Sequence, residues 1–246
     1  MTLAEVALAV IQSRDPAFTF QHLDALLHRL ADGVRDHEAT ARVAALPQPG
    51  SEDDRHGALL GHLNAHLFKD LGFSGDTEDY YDPRNSFLDD VIERRRGIPI
   101  TLSILYIEVG VRLNLPLAGV SFPGHFLVRL GPDGQETILD PYFGATVLTR
   151  NDLENRLEQM FGAKSITQQQ LETMTRTASA HEVAVRLIRN LKGVYMHREQ
   201  LDEALWACQA ILELMPGTPI ELRDRGMVFE KMDAYRAAAQ DFRAYL

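Results

Sequence analysis

Between Pro99 and Leu113 apolar positions dominate. Ile100, Ile104, Ile107 and Val111 form one stripe at helical spacing, and Leu102, Leu105, Val109 and Leu113 form a second. A helix apolar over most of its girth belongs in a protein interior. Gly97 ends the charged run before it. Pro99 suits a first helical position, where its missing N–H is not needed. Asn114 reads as a left-handed cap and Pro116 as the stop. The polar residues left on this helix are Thr101, Ser103, Glu108 and Arg112, of which Thr101, Glu108 and Arg112 share a face.

The pattern then changes period. Leu117 to Ser121, Phe126 to Leu130 and Gln135 to Asp140 read as strands, the last two joined by a Gly131-Pro132-Asp133-Gly134 turn. A four-residue turn sets Leu130 opposite Gln135, Arg129 opposite Glu136, Leu127 opposite Ile138 and His125 opposite Asp140. It pairs Phe126 with Leu139 on the other face. His125 and Asp140 are then cross-strand neighbours with Cβ atoms roughly 5 Å apart. A carboxylate there can orient an imidazole, as the third member of a nucleophile, histidine and acid triad does. The plainer reading is a structural pair that ties down the end of a hairpin.

Before the central helix the chain reads as helical scaffold. Leu3, Val6, Ala7, Val10 and Ile11 recur at helical spacing until Asp15-Pro16. Thr19 caps a second helix carrying Leu23, Leu26, Leu27 and Leu30, and a third, short helix is expected from about Glu38 to Leu46. Pro47-Gln48-Pro49-Gly50 breaks the pattern. Ser51 with Asp54 then opens a helix burying Leu59, Leu60, Leu63, Leu67 and Leu71. On that helix His62, His66 and Asp70 fall on one face, a spacing that metal sites use. No base and no fourth ligand accompany them, so an exposed face is the better reading and no metal or cofactor is expected. Asn85 suits the cap of a helix from Ser86 to Arg94. Arg94, Arg95 and Arg96 suit either an anionic partner or a salt-bridged turn.

After Asp140-Pro141, Ala145 to Leu148 reads as an edge strand. Thr149 with Asp152 caps a helix whose Leu153, Leu157 and Met160 point inward, and Gly162 ends it. Thr167 and Gln170 form another capping box at a polar junction. Beyond it the chain repeats itself. Tyr195 with Phe229, Ala204 with Ala238, Cys208 with Phe242, Gly193 with Met227 and Leu191 with Arg225 are each one tetratricopeptide period, about 34 residues, apart. The last two couples match poorly, and Gly226 suits the tight contact better than its neighbour. Two helix pairs fall short of the three that usually stand alone, so they are expected to dock on the preceding domain. Their concave surface suits a protein or peptide partner, or else shields the core.

Composition narrows the function classes. The 246 residues, 45% of them hydrophobic, suffice for one or two compact domains. With 35 acidic and 25 basic side chains and a formal charge of −10, no basic stripe is present for nucleic acid. No run approaches the ~20 apolar residues that span a bilayer. The first residues lack a basic leader, so a cytoplasmic location is the expectation. Cys208 is the single cysteine, which excludes an internal disulfide, and it falls where the repeat needs a buried packing residue. Nothing in the sequence sets the oligomeric state.

The stretch YYDPRNSFLDDVIERRRGIPITLSILYIEVG, with FPGHFLVRL and LDPYFG, resembles the bacterial SirB family, a transglutaminase-like core joined to tetratricopeptide repeats. The resemblance implies an α+β fold. A helical N-terminal region and a small antiparallel sheet of papain or transglutaminase-like type occupy residues 1–165. A junction follows at 166–180, and an all-α repeat module at 181–246. It also implies that Asn85 and Ser86 line the same cleft as His125, and that Pro99 stands where such enzymes carry their thiol. Proline offers no nucleophile. The expectation is therefore a protein-binding scaffold without thiol chemistry. The alternative is a hydrolase or acyl transferase in which His125 and Asp140 activate a water, Thr101 or Ser103, although a hydroxyl needs far more help than a thiol. A metal enzyme built on His62, His66 and Asp70 is a more distant reading.

Overall fold

The structure is a computed structural model that describes residues 1–44, 52–131, 137–162 and 166–246. Among them the central helix α5 (Pro99–Arg112) follows α1 (Leu3–Gln12), α2 (Phe20–Ala44), α3 (Glu52–Asn64) and α4 (Leu88–Arg94). Ile98 sits extended at its N-cap, and the Thr101 hydroxyl accepts the Ile98 N–H at 3.2 Å, so the first turn is closed from within. Every residue from Ile100 to Gly110 is buried. Val111 departs from the expected stripe and is 50% exposed, because the helix emerges from the core in its last turn. Asn114 takes the left-handed conformation expected of it, with φ at 61°.

Glu108 is also buried. It is stabilised there by accepting the Ala4 N–H at 2.9 Å and pairing with Arg112 at 2.7 Å, while Arg112 reaches Asp24 of α2 at 2.6 Å. A buried carboxylate is tolerable only with such partners, and these ones tie α1 and α2 to α5. The separate second and third helices expected near the N-terminus are one helix, α2. Ala31 and Val34 continue the buried stripe begun by Leu23 and Leu27, and this carries the helix through Asp32-Gly33. The expected break at Pro47 to Gly50 and the cap at Ser51 lie outside the described residues.

A short parallel pair, β1 (Ser74–Gly75) with β2 (Arg96–Gly97), precedes the main sheet. That sheet is antiparallel, in the order β3 (Leu117–Val120), β4 (Leu127–Leu130), β5 (Thr137–Asp140) and β6 (Thr146–Leu148). Pairing differs from the expected register: Leu130 faces Thr137, Arg129 faces Ile138 and Val128 faces Leu139. The connection is longer than a four-residue turn, and pairing slips by two residues. The expected turn at Pro132 to Gly134, and Glu136, lie outside the described residues. One sheet face, with Phe126, Val128 and Leu139, packs into the core around α5. The other, with Val120, Leu127 and Ile138, is covered by Leu153 and Leu157 of α6 (Arg150–Phe161) and Leu171 of α7 (Gln168–Thr175). Met160 does not point inward as expected; it is 50% exposed and lies against Gly124, whose lack of a Cβ makes room for it.

Two helix pairs complete the chain: α8 (Ala180–His197) with α9 (Leu201–Leu214), and α10 (Pro219–Lys231) with α11 (Tyr235–Tyr245). Ala204 and Ala238 are both buried at equivalent positions, and Gly226 admits the Phe242 ring. Cys208 is fully buried, and burial pushes its thiol up to about 12. The pairs dock on the preceding domain. Val183, Leu187 and Leu191 of α8 belong to the same continuous core as α1, α2 and α5. The Tyr81 ring stacks on His197, and Arg198 donates to the Tyr81 carbonyl at 2.6 Å.

Candidate functional site

His125 and Asp140 lie together despite the altered register. A slip of two leaves every side chain on its original face, so the pair becomes diagonal instead of directly opposed. His125 Nε2 stands 2.8 Å from Asp140 Oδ1. The other carboxylate oxygen accepts a hydrogen bond from Arg156 of α6, also at 2.8 Å. Asp140 is completely buried and His125 is 16% exposed on its side chain, so the imidazole alone meets solvent. Burial by itself raises the Asp140 pKa; the bonds and charges of His125 and Arg156 outweigh it and hold the carboxyl below the usual range. Nδ1 is the ring nitrogen that the carboxylate leaves unengaged.

Two aromatic residues complete the surroundings of His125. Phe143 stacks on the imidazole at 6.2 Å and Tyr142 meets it edge-on at 5.9 Å. Both come from the turn at Pro141–Phe143 that directly follows Asp140. The Tyr142 ring occupies the space a Cβ at Gly75 would fill, and its hydroxyl donates to the Asp76 carbonyl at 3.2 Å. Gly75 pairs with Gly97, two residues before Pro99. Tyr142 is thus the physical link between the histidine and the strand that leads into the α5 tip.

The backbone at His125 is held from the repeat side. Arg186 of α8 donates to the Ser121 hydroxyl at 2.8 Å, the Phe122 carbonyl at 2.7 Å and the His125 carbonyl at 2.7 Å, with its guanidinium over the Phe126 ring. Each bond to a charged donor contributes about 1.5–3 kcal/mol, and solvent recovers part of that in a surface loop. Arg186→Ala is therefore expected to cost about 2 kcal/mol in urea unfolding. Faster amide hydrogen exchange confined to residues 121–126 would accompany it, and unchanged exchange there would show that other contacts hold the loop.

The two hydroxyls considered as nucleophiles are engaged elsewhere. Thr101 Oγ1 donates within the buried turn, where the Asn85 carbonyl lies at 2.7 Å and the Ile98 carbonyl at 3.1 Å. Ser103 Oγ donates to the Phe126 carbonyl at 3.3 Å. Pro99 occupies the first turn of α5. Asn85 does not cap a helix from Ser86. Residues Pro83–Ser86 form a 3-10 turn capped by Asp82, and α4 begins later, at Leu88. The buried Asn85 side chain instead donates to the Asp79 carbonyl and accepts from Arg94, so it locks the loop to α4. Ser86 is buried beside it, and its hydroxyl has no hydrogen-bond partner among the described residues. Arg94 is surrounded by Asn85, Asp76 and Asp82; Arg95 donates to the Leu71 carbonyl, and Arg96 to the Ser74 hydroxyl. Of the arginine run, Arg94 is held by salt bridges, while Arg95 and Arg96 are held by hydrogen bonds to uncharged groups.

His62, His66 and Asp70 are not on one regular helical face. The chain winds into a π-helix over Ala65–Asp70. His66 Nδ1 lies 3.9 Å from Asp70 Oδ2, and His37 of α2, a residue without local sequence signal, places its Nε2 2.5 Å from the same oxygen. Burial, then the neighbouring His37, lowers the pKa of His66. Arg156, Arg186 and His37 carry no local sequence signal as partners, because each reaches its site from another element, whereas Tyr142 lies two residues after Asp140, in the LDPYFG stretch.

A buried helix led in by a short strand, a histidine and aspartate on adjacent strands, and docked helix pairs define a transglutaminase-like architecture with appended repeats. The family model of the transglutaminase-like superfamily matches residues 20–189, and that of the tetratricopeptide repeat matches 191–246. The chain belongs to the transglutaminase-like superfamily. Its relatives include a UPF0162 protein of Xylella fastidiosa, 41% identical over 187 residues, which cover 76% of this chain and 66% of that relative. A UPF0162 protein of Pasteurella multocida is 30% identical over 75% of this chain and 69% of its own length. One from Vibrio cholerae is 29% identical over the full chain and 86% of its own length. The relatives named here are bacterial. Among the described residues no helix is long and apolar enough to cross a membrane.

Proposed function

We propose that this protein is a transglutaminase-like scaffold without thiol chemistry, which holds a protein or peptide partner on its C-terminal helical repeats. The observation that carries the reading is that α5 opens on Pro99, the position to which the family resemblance assigns the thiol. The chain's one cysteine lies buried among the repeat helices instead. A helix N-terminus lowers the pKa of a thiol placed there, and here it has none to act on. In the same reading the protein is cytoplasmic and resembles the SirB family, with residues 1–165 as its core, 166–180 as the junction and 181–246 as the partner-binding module.

The repeats keep large apolar side chains at the surface: Ile220 and Met227, two turns apart on the same face of α10, and Tyr235 on α11. Full-length protein carrying Met227→Glu and Tyr235→Glu is expected to lose the partners that the unaltered chain captures from bacterial extract. Capture of the same set by both, or of nothing by either, counts against the reading.

One observation favours a second reading, a hydrolase or acyl transferase. The His125 and Asp140 pair is intact at 2.8 Å, with the imidazole partly open to solvent. In that case a water, Thr101 or Ser103 is the nucleophile, and Asn85 and Ser86 belong to the cleft. A general base contributes about 10²–10⁴-fold. Ester or amide hydrolysis falling by that factor in His125→Ala would establish this chemistry and displace the scaffold reading. Activity absent in both proteins would retire it.

A further inference from the structure

We propose that His37, His66 and Asp70 form a binding site for a divalent transition-metal ion of the zinc class. One donor atom from each lies within 4.8 Å of the others, drawn from two different helical segments. The site shares no residue with the His125 and Asp140 pair, and it stands or falls independently of the scaffold reading.

The local backbone is arranged around this convergence. His62, His66 and Asp70 would share one face of a regular helix, but the chain widens to a π-turn at Ala65–Asp70, closed by the Leu71 N–H on the His66 carbonyl at 3.0 Å. Such turns are rare and concentrate at functional sites. Opposite the turn, α2 carries Gly33 in its interior, a position where glycine is less favourable than alanine. The reason is visible in the packing. The His66 ring fills the place of a Cβ at Gly33, with Nε2 against α2, which leaves Nδ1 as the nitrogen directed towards Asp70. The glycine thereby seats one ligand against the helix that supplies another.

Donor chemistry and spacing select the ion. Two imidazoles with one carboxylate favour zinc and its first-row neighbours over magnesium or calcium, which prefer oxygen donors. Zinc bonds of ~2.0–2.2 Å in a tetrahedron separate donors by ~3.4 Å. The observed separations bracket that value, 2.5 Å for His37 with Asp70 and 3.9 Å for His66 with Asp70. Small rotations of the exposed Asp70 carboxylate and the half-exposed His37 ring bring both to it, with the His66 ring kept in its seat at Gly33. The fourth position is left for water or for His62, whose ring lies 6.4 Å from that of His37.

The test uses the untagged full-length chain, stripped with a chelator and titrated with Co²⁺ as a coloured substitute for Zn²⁺, followed by displacement with Zn²⁺. One equivalent is expected to bind with the visible absorption of imidazole-coordinated Co²⁺, and Zn²⁺ is expected to abolish that absorption. Asp70→Asn and Gly33→Ala should each weaken binding by at least the ~10–100-fold that loss of an outer-shell partner costs. Gly33→Ala raises helix propensity, so its loss of metal would reflect displacement of the His66 ring, and circular dichroism matching the parent would show the helices intact. Absence of saturable binding of either ion, or binding that neither substitution weakens, overturns the proposal.

Discussion

Replacing Lys192 with alanine is expected to cost about 3–5 kcal/mol, the range for removing one partner of a buried ion pair. Lys192 lies on α8 with only 8% of its side chain exposed, and its ammonium donates to Glu221 and Asp224 of α10, both at 2.6 Å. Glu221 is fully buried; Arg189 holds its other oxygen at 2.8 Å. Without Lys192, the two carboxylates lose the buried cation they share and keep only the half-exposed Arg189 on Glu221 and Arg223 on Asp224. For a chain of this size the loss corresponds to a fall of roughly 10 °C in Tm. Lys192→Met keeps the aliphatic stem, so a similar cost there would assign the effect to charge and not to packing. A loss below about 1 kcal/mol would mean that Arg189 and Arg223, or entering water, compensate both acids.

The same cluster has a defined pH dependence. Burial opposes the Lys192 charge, but its bonds to Asp224 and Glu221 outweigh that and raise its pKa. Its contribution is fully present below the unfolded value, near 10.4, and is lost as pH rises through the higher folded value. Burial likewise opposes ionisation of Asp224, and Lys192 and Arg223 outweigh it, so the pKa is lowered. That contribution is present above an unfolded value near 3.9 and disappears as pH falls through the folded one.

Asp140→Asn is expected to cost about 2–3 kcal/mol. The buried carboxylate bonds His125 and Arg156 with its two oxygens, and an amide can accept at only one of them. Because the folded Asp140 pKa lies below its ordinary value, the stability it supplies is complete above pH ~4 and fades as pH falls further. Guanidinium unfolding of parent and variant between pH 3 and 7 reads this directly: the gap between them should narrow only in acid. A gap that is independent of pH would assign the loss to shape instead of charge.

The sequence revealed α5 because its apolar run is too continuous for anything but an interior helix, and the repeats because their period survives in Ala204 and Ala238. His125 and Asp140 were found together through a register that was wrong by two residues. An even slip preserves the face, whereas an odd one would have separated them. The N-terminal helices were misdivided because Ala31 is a small member of the buried stripe and Asp32-Gly33 resembles a break. Asn85 has the chemistry of a cap, but Asp82 does that work. No local pattern could announce Arg156 beside Asp140, or His37 beside Asp70, because the first contact exists only after α6 packs on the sheet and the second only after α2 packs on the π-turn.

Helix α8 has a consequence for how the molecule can be divided. The two family matches meet between residues 189 and 191, inside this unbroken helix, whose apolar side joins the core while Lys192 anchors α10. There is no flexible seam at that boundary. Either half expressed alone must keep α8 or lose a wall of its interior, and heat should melt the two halves in a single cooperative transition.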